Sequence, residues 1–145
     1  MAQRIRDDLK QNLGITVDIS EREAGTFFTD TSSKESVPFF LTSWFADYID
    51  PQDYLSTMLR TGAALNHIAY SNPQFDALCD KADAESDMTK RIALYQQADQ
   101  IAVDDVALLP LTYGVQPILI KPRVKDWPVN LLLTAMPHTT TYIAR

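Results

Sequence analysis

The order of elements predicts an α/β architecture, and three observations carry that prediction. The segment Val37 to Trp44 opens as an apolar run, has strand length and lacks alternation, as strands buried on both faces do. Helix-period and strand-period segments alternate through the first half of the chain. Between the apolar run and a helix start at Asp50-Pro51 lies Asp47, at the carboxyl end of the strand, where ligands bind in open α/β sheets.

The elements follow in order. Ala2 to Leu13 places Ile5 and Leu9 on one helical face, and Gly14 stands at the expected stop. Ile15, Val17 and Ile19 alternate with Thr16 and Asp18, the pattern of a half-exposed strand. Glu21 to Asp30, with Phe27 and Phe28, reads as a short helix, and Thr29 to Ser36 as a polar loop before the buried strand. Asp50 is placed to cap a helix from Pro51 to Leu59, whose apolar face is Tyr54, Leu55, Met58 and Leu59. Thr61 to Tyr70 is irregular. Asn72 caps a helix begun by Pro73, with the stripe Phe75, Leu78, Cys79 and Ala82. Asp87 opens a longer helix to Asp104, with the stripe Met88, Ile92, Tyr95, Ala98 and Ala102 flanked by Leu94 and Ile101. Ala107 to Tyr113 reads as a strand, edge or bulged because of Pro110, and Pro117 to Ile120 as another. Lys121-Pro122 and Trp127-Pro128 are turns, and Val129 to Arg145 contains apolar Leu131 to Leu133 and a polar HTTTY patch. Three or four strands are fewer than a complete doubly wound domain offers.

Composition bounds the function. The chain has 145 residues, enough for one domain with a real core, and 46% hydrophobic with 22% charged residues is ordinary for a globular protein. A net charge of -6 argues against nucleic acid and anionic membrane surfaces as partners, because both need a basic patch. The single cysteine, Cys79, excludes an internal disulfide and sits where burial is expected. No run of apolar residues is long enough to span a bilayer as a helix, and the polar opening MAQRIRDDLKQ does not read as a signal peptide.

Catalytic and metal chemistry find little support. Asp47, Asp50 and Asp53 are spaced by three, but the glycine and later glutamate of a calcium loop are missing. Asp50 is better explained as a cap, and Asp53 by the favourable charge–dipole position in a first helical turn. His67 and His138 have no second ligand at zinc spacing; no nucleophile elbow and no glycine-rich phosphate loop occur. No cofactor and no enzymatic activity are expected. Asp47 remains without such an explanation, with Trp44 three residues before it; the plain alternative is a hydrogen-bonded turn aspartate.

Five motifs in order resemble the large peptide-binding proteins of bacterial ABC importers, the oligopeptide and dipeptide solute-binding type known as extracellular solute-binding family 5. IRDDLKQNLGITVDI resembles the family's helix followed by a GI-x-V strand. SWFADYIDPQDYLSTML resembles W-x-A-D-Y-x-D-P followed by a helix. YSNPQFDALCDKA resembles Y-x-N-P-x-F-D-x-L, RIALYQQADQIAVDDVALLPLTY resembles the helix and P-L-x-Y strand that follow, and ILIKPRVKDW resembles the closing segment. The resemblance implies a C-terminal fragment of a protein several times longer. It implies the C-terminal lobe of a two-lobed periplasmic-binding-protein-like α/β fold, with an incomplete sheet and flanking helices. Residues 1–115 would be part of the second lobe, and 116–145 a closing segment that returns to the first.

The function implied is extracytoplasmic binding of a solute, a peptide first of all, in the periplasm or outside the membrane, and its delivery to ABC permease subunits in the inner membrane. Asp47 matches the aspartate that pairs with a ligand's α-ammonium; Trp44, Phe45, Ser43 and Tyr113 are the other candidate ligand-binding residues. Ser43 stands where relatives usually carry glycine, and the preceding strand holds Leu41 where some carry an arginine for the ligand carboxylate. No arginine occurs between Arg22 and Arg60, and Lys34 is the nearby cation. Related members that take a nickel chelate, a sugar or another small solute supply the alternative ligand class, and a small α/β protein-interaction module the alternative function. Strands without their partners lead to a further expectation, self-association of the fragment through its tail from Gln116 onward.

Overall fold

In a computed structural model of the chain, residues 1–32, 39–115, 117–128 and 139–144 are described. Among the described residues there are five helices and one short two-stranded ribbon: α1 (Ala2–Leu13), α2 (Ala24–Ser32), α3 (Ser56–Leu59), α4 (Pro73–Ala84), α5 (Met88–Asp104), β1 (Val124–Lys125) and β2 (Tyr142–Ile143). A 3-10 turn, Pro51–Asp53, precedes α3.

The helix ends follow local chemistry. Gly14 takes the left-handed conformation (φ 70°) that a side chain disfavours; its N–H donates to the Lys10 carbonyl, and the next amide, Ile15, donates to the Leu9 carbonyl. The Asn72 side chain accepts from the amides of Gln74 and Phe75 at the start of α4, and Asp87 accepts from Thr89 and Lys90 at the start of α5. The Pro51–Leu59 helix expected from the sequence is split. Asp53 and Tyr54 donate to the carbonyls three residues back, at 3.2 and 3.1 Å, so the first turn is a 3-10 turn and α3 restarts at Ser56.

The hydrophobic core among the described residues lies between Leu55 and Ala107. Phe75, Cys79 and Ala82 of α4 meet Tyr95, Ala98 and Ala102 of α5, and Leu55 and Leu59 close the cluster. Of the α4 and α5 stripes read from sequence, Phe75, Cys79, Ala82, Tyr95, Ala98 and Ala102 are buried, Leu78 and Ile92 are half-buried, and Met88 overhangs the end of α5 and is 58% exposed. Cys79 is fully buried, and burial, aided by the charges of Asp83 and Asp76, pushes its thiol up to about 11 against the opposing effects of Ser56 and Arg60. Helix α1 buries no residue.

Between α3 and α4 the chain is irregular but fixed. Asn66 is buried; its amide nitrogen donates to the carbonyls of Leu59, Arg60 and Tyr70 at 3.1, 3.1 and 2.8 Å, and its oxygen accepts from the Tyr70 amide at 3.0 Å. One side chain thus satisfies four backbone groups that no helix or ladder serves. Tyr70 and Asn72 both donate to Asp105 at 2.7 Å, tying the loop to the far end of α5.

The helices and small ribbon make a partial α/β lobe. The ribbon pairs Val124 with Ile143 and Lys125 with Tyr142, antiparallel. The longer strands expected at Ile15–Ile19, Phe39–Trp44, Ala107–Tyr113 and Pro117–Ile120 are not laddered. Instead of being buried on both faces, Phe39 and Leu41 are exposed, as are Leu109, Tyr113, Val115 and Leu119. A strand exists only through a neighbour's backbone, and these segments find none among the described residues. Val37, Lys34, Gln116, Leu131 to Leu133 and His138 lie outside the described residues.

Candidate functional site

The α4–α5 pair holds the segment that carries Trp44 and Asp47, and it does so through charge. Asp50 caps the 3-10 turn by accepting from the Gln52 amide at 2.9 Å. The same carboxylate accepts from Nε and Nη2 of Arg91, in the first turn of α5, at 2.8 and 3.1 Å. Desolvation pushes the Asp50 carboxyl up, but the hydrogen bonds from Arg91 and the Gln52 amide and the charge of Arg91 outweigh it and hold the group below its usual range. Arg91 also donates to the carbonyl of Ala82 and stands over the Tyr95 ring.

Beside this pair, Asp83 of α4 gathers three donors. Gln52 reaches it at 2.8 Å, Ser56 at 3.3 Å, and the Tyr95 hydroxyl in a close contact. Burial and the neighbouring Asp83 push the Tyr95 phenol well above its ordinary value, so it stays a neutral donor. The turn is thereby fastened to both long helices.

So fixed, the turn directs Asp53 inward. Asp53 is 1% exposed, and one oxygen, Oδ2, accepts from the Trp44 indole Nε1–H at 2.8 Å and from the Asp47 amide at 3.1 Å. Sequence reasoning assigned Asp53 to the helix dipole and missed this role. The spacing held one usable signal: a carboxylate nine residues after a tryptophan, on a turn that folds back.

Trp44 is half-buried, and the structure brings it and Asp47 together on this one oxygen. The Asp47 carboxylate is exposed and has no hydrogen-bond or ionic partner among the described residues. Phe45 is exposed, and its ring would stand 3.7 Å from a Cβ added at Gly114, so the chain beside Tyr113 runs close to it. Tyr113 itself is fully exposed and Ser43 is exposed; neither is drawn into the Asp53 cluster. An open groove of about 450 Å³ lies between the turn and α5, lined by Asp50, Tyr54, Ile92 and Gln96 among others. It includes none of the five candidate residues.

Arg22 is engaged with Asp30 at 3.1 Å, so this cation is not held ready for a ligand carboxylate. No group of three or more His, Cys, Asp and Glu side chains among the described residues could hold a metal, and no described helix is long and apolar enough to cross a membrane.

No family model matches the chain. It is 34% identical over 115 residues to the periplasmic oligopeptide-binding protein OppA of Escherichia coli (strain K12), an alignment covering 79% of this chain and 21% of that protein. It is also 34% identical over 128 residues to the probable deoxycholate-binding periplasmic protein YgiS of the same organism, covering 87% of this chain and 23% of that protein. Among solved structures, the murein tripeptide binding protein MppA of Escherichia coli superposes with a TM-score of 0.80 and 26% identity, over 99% of this chain and 28% of that one. The chain thus spans about a fifth to a quarter of the length of the curated relatives it matches.

Proposed function

The chain belongs to the oligopeptide- and dipeptide-binding family of solute-binding proteins, and from that premise we propose that it forms one wall of a peptide-binding cleft in which Asp47 holds the ligand's α-ammonium. The observation that carries this reading is the contrast within one cluster. Asp50 and Asp53 are consumed by structural partners, whereas the Asp47 carboxylate stands exposed and unpaired on a backbone that is pinned. A peptide ammonium leaving water needs a paired carboxylate, and a fixed one forms the pair with less ordering to be done on binding. Trp44, Phe45, Ser43 and Tyr113 supply the apolar and polar wall around it.

In this reading residues 1–115 are part of one lobe and 116–145 a closing segment that meets the other. The whole protein works outside the cytoplasmic membrane, in the periplasm, and delivers its solute to ABC permease subunits. The relatives are named as binding proteins, and binding rather than catalysis is the role proposed here.

NMR titration of the chain with tri-alanine and with N-acetyl-tri-alanine tests the assignment. Weak binding is expected, because a half-cleft leaves most of the ligand in water. Free tri-alanine should shift the Asp47 amide and the acetylated peptide should not. Equal responses to the two peptides, or none at Asp47, would overturn the ammonium role.

A second reading has its own support. No arginine lies between Arg22 and Arg60 to meet a ligand carboxylate, and one relative is named for deoxycholate rather than peptide. A small solute of another class is then the ligand, and the acetylated and free peptides would both fail.

A further inference from the structure

We infer that Asp53 is the positioning residue of this site: its buried carboxylate sets the Trp44 ring and the Asp47 backbone in one fixed relation, and so aims the Asp47 carboxylate at the ligand. The inference rests on the ammonium-binding reading above. Asp53 is buried yet has no cationic partner among its hydrogen bonds; its donors are an indole and a backbone amide, both converging on Oδ2 at 2.8 and 3.1 Å. A buried carboxylate is retained only where its hydrogen bonds compensate desolvation. Here the two donors belong to the two residues that would meet the ligand. A residue serving only the fold would be expected to bond its own turn. That task falls to Asp50, which caps the turn and anchors it to Arg91.

Because one oxygen accepts both bonds, an asparagine side chain can reproduce them with its amide oxygen, whereas alanine removes both. This separates positioning from charge. The experiment is the same NMR titration on the whole chain, comparing wild type, Asp53→Asn and Asp53→Ala. In wild type, the Trp44 indole and the Asp47 amide should exchange with solvent more slowly than the amides of neighbouring exposed residues. Asp53→Ala should release both and weaken tri-alanine binding about tenfold or more, the scale expected when a binding group is misplaced by an ångström or so. Asp53→Asn should keep slow exchange and bind within about twofold of wild type, since both acceptor contacts survive.

An Asp53→Ala chain that folds and binds like wild type would overturn the inference and leave the Asp47 assignment standing. A wild-type chain blind to tri-alanine would instead remove the assignment, and the inference with it. Should Asp53→Ala fail to fold, Asp53→Asn and the wild-type exchange rates decide. Loss of binding in a folded Asp53→Asn chain, or fast exchange at the wild-type Asp47 amide, would each overturn positioning by hydrogen bonds.

Discussion

Three aspartates three residues apart stand in three different settings, and burial together with partners separates them. Asp50 is mostly buried against Arg91, with side-chain exposures of 18% and 12%, and it also caps the turn. From sequence only the cap was legible, which is worth about 1 kcal/mol. With a guanidinium left without its partner, Asp50→Ala should cost about 2–4 kcal/mol, as breaking a largely desolvated pair does. Denaturant unfolding of the variant measures this. The pH dependence has a definite sign. The folded-state value of Asp50 is lowered, so its stabilisation is fully present above the ordinary aspartate range and is lost as pH falls through the lowered value. Melting temperature against pH should therefore drop more steeply on the acid side for wild type than for Asp50→Asn. Parallel curves would mean that the pair contributes nothing.

At the scale of elements, what was legible is what is local. Gly14, Asn72 and Asp87 mark helix ends through bonds spanning a few residues, and the α4 and α5 stripes follow from helical period. The strands were not legible in the same way. Apolar runs such as Phe39–Trp44 indicate a tendency to pair, but the pairing depends on backbone elsewhere. Equally invisible were bonds across long separations: Arg91 to Asp50 spans 41 residues, and Asn66 draws a whole irregular loop around itself. The loop supplies its own test. Asn66→Ala strands the carbonyls of Leu59 and Tyr70 and the Tyr70 amide, while the Arg60 carbonyl keeps its bond from Ala63, and should cost about 1–3 kcal/mol. Asn66→Asp should be worse, because it replaces the donor facing three carbonyl oxygens with an acceptor. Hydrogen exchange over residues 59–70 would localise the loss. Equal stability of Asn66→Asp and wild type would show that the amide is not the organiser.

The whole molecule is unevenly closed. Its accessible surface is 11170 Å², where a compact chain of this mass exposes about 7,500 Å². Large apolar side chains lie on this surface, with Val106, Leu109, Tyr113, Val115 and Leu119 each more than 70% exposed. The chain should therefore self-associate, and added salt should strengthen the association by screening the mutual repulsion of chains carrying -6. Sedimentation at several concentrations and two salt levels is the measurement; a monomer at all of them would show that the apolar surface is satisfied within the chain. The core, which among the described residues runs from Leu55 to Ala107, also places the resistance to unfolding in α4 and α5 rather than in α1. Cys79, the single thiol of the chain, is sealed at the centre of that helix pair. A disulfide reagent can modify it only when α4 and α5 part, so the rate of thiol labelling in native buffer is a built-in clock for the opening of the helical unit, needing no introduced probe.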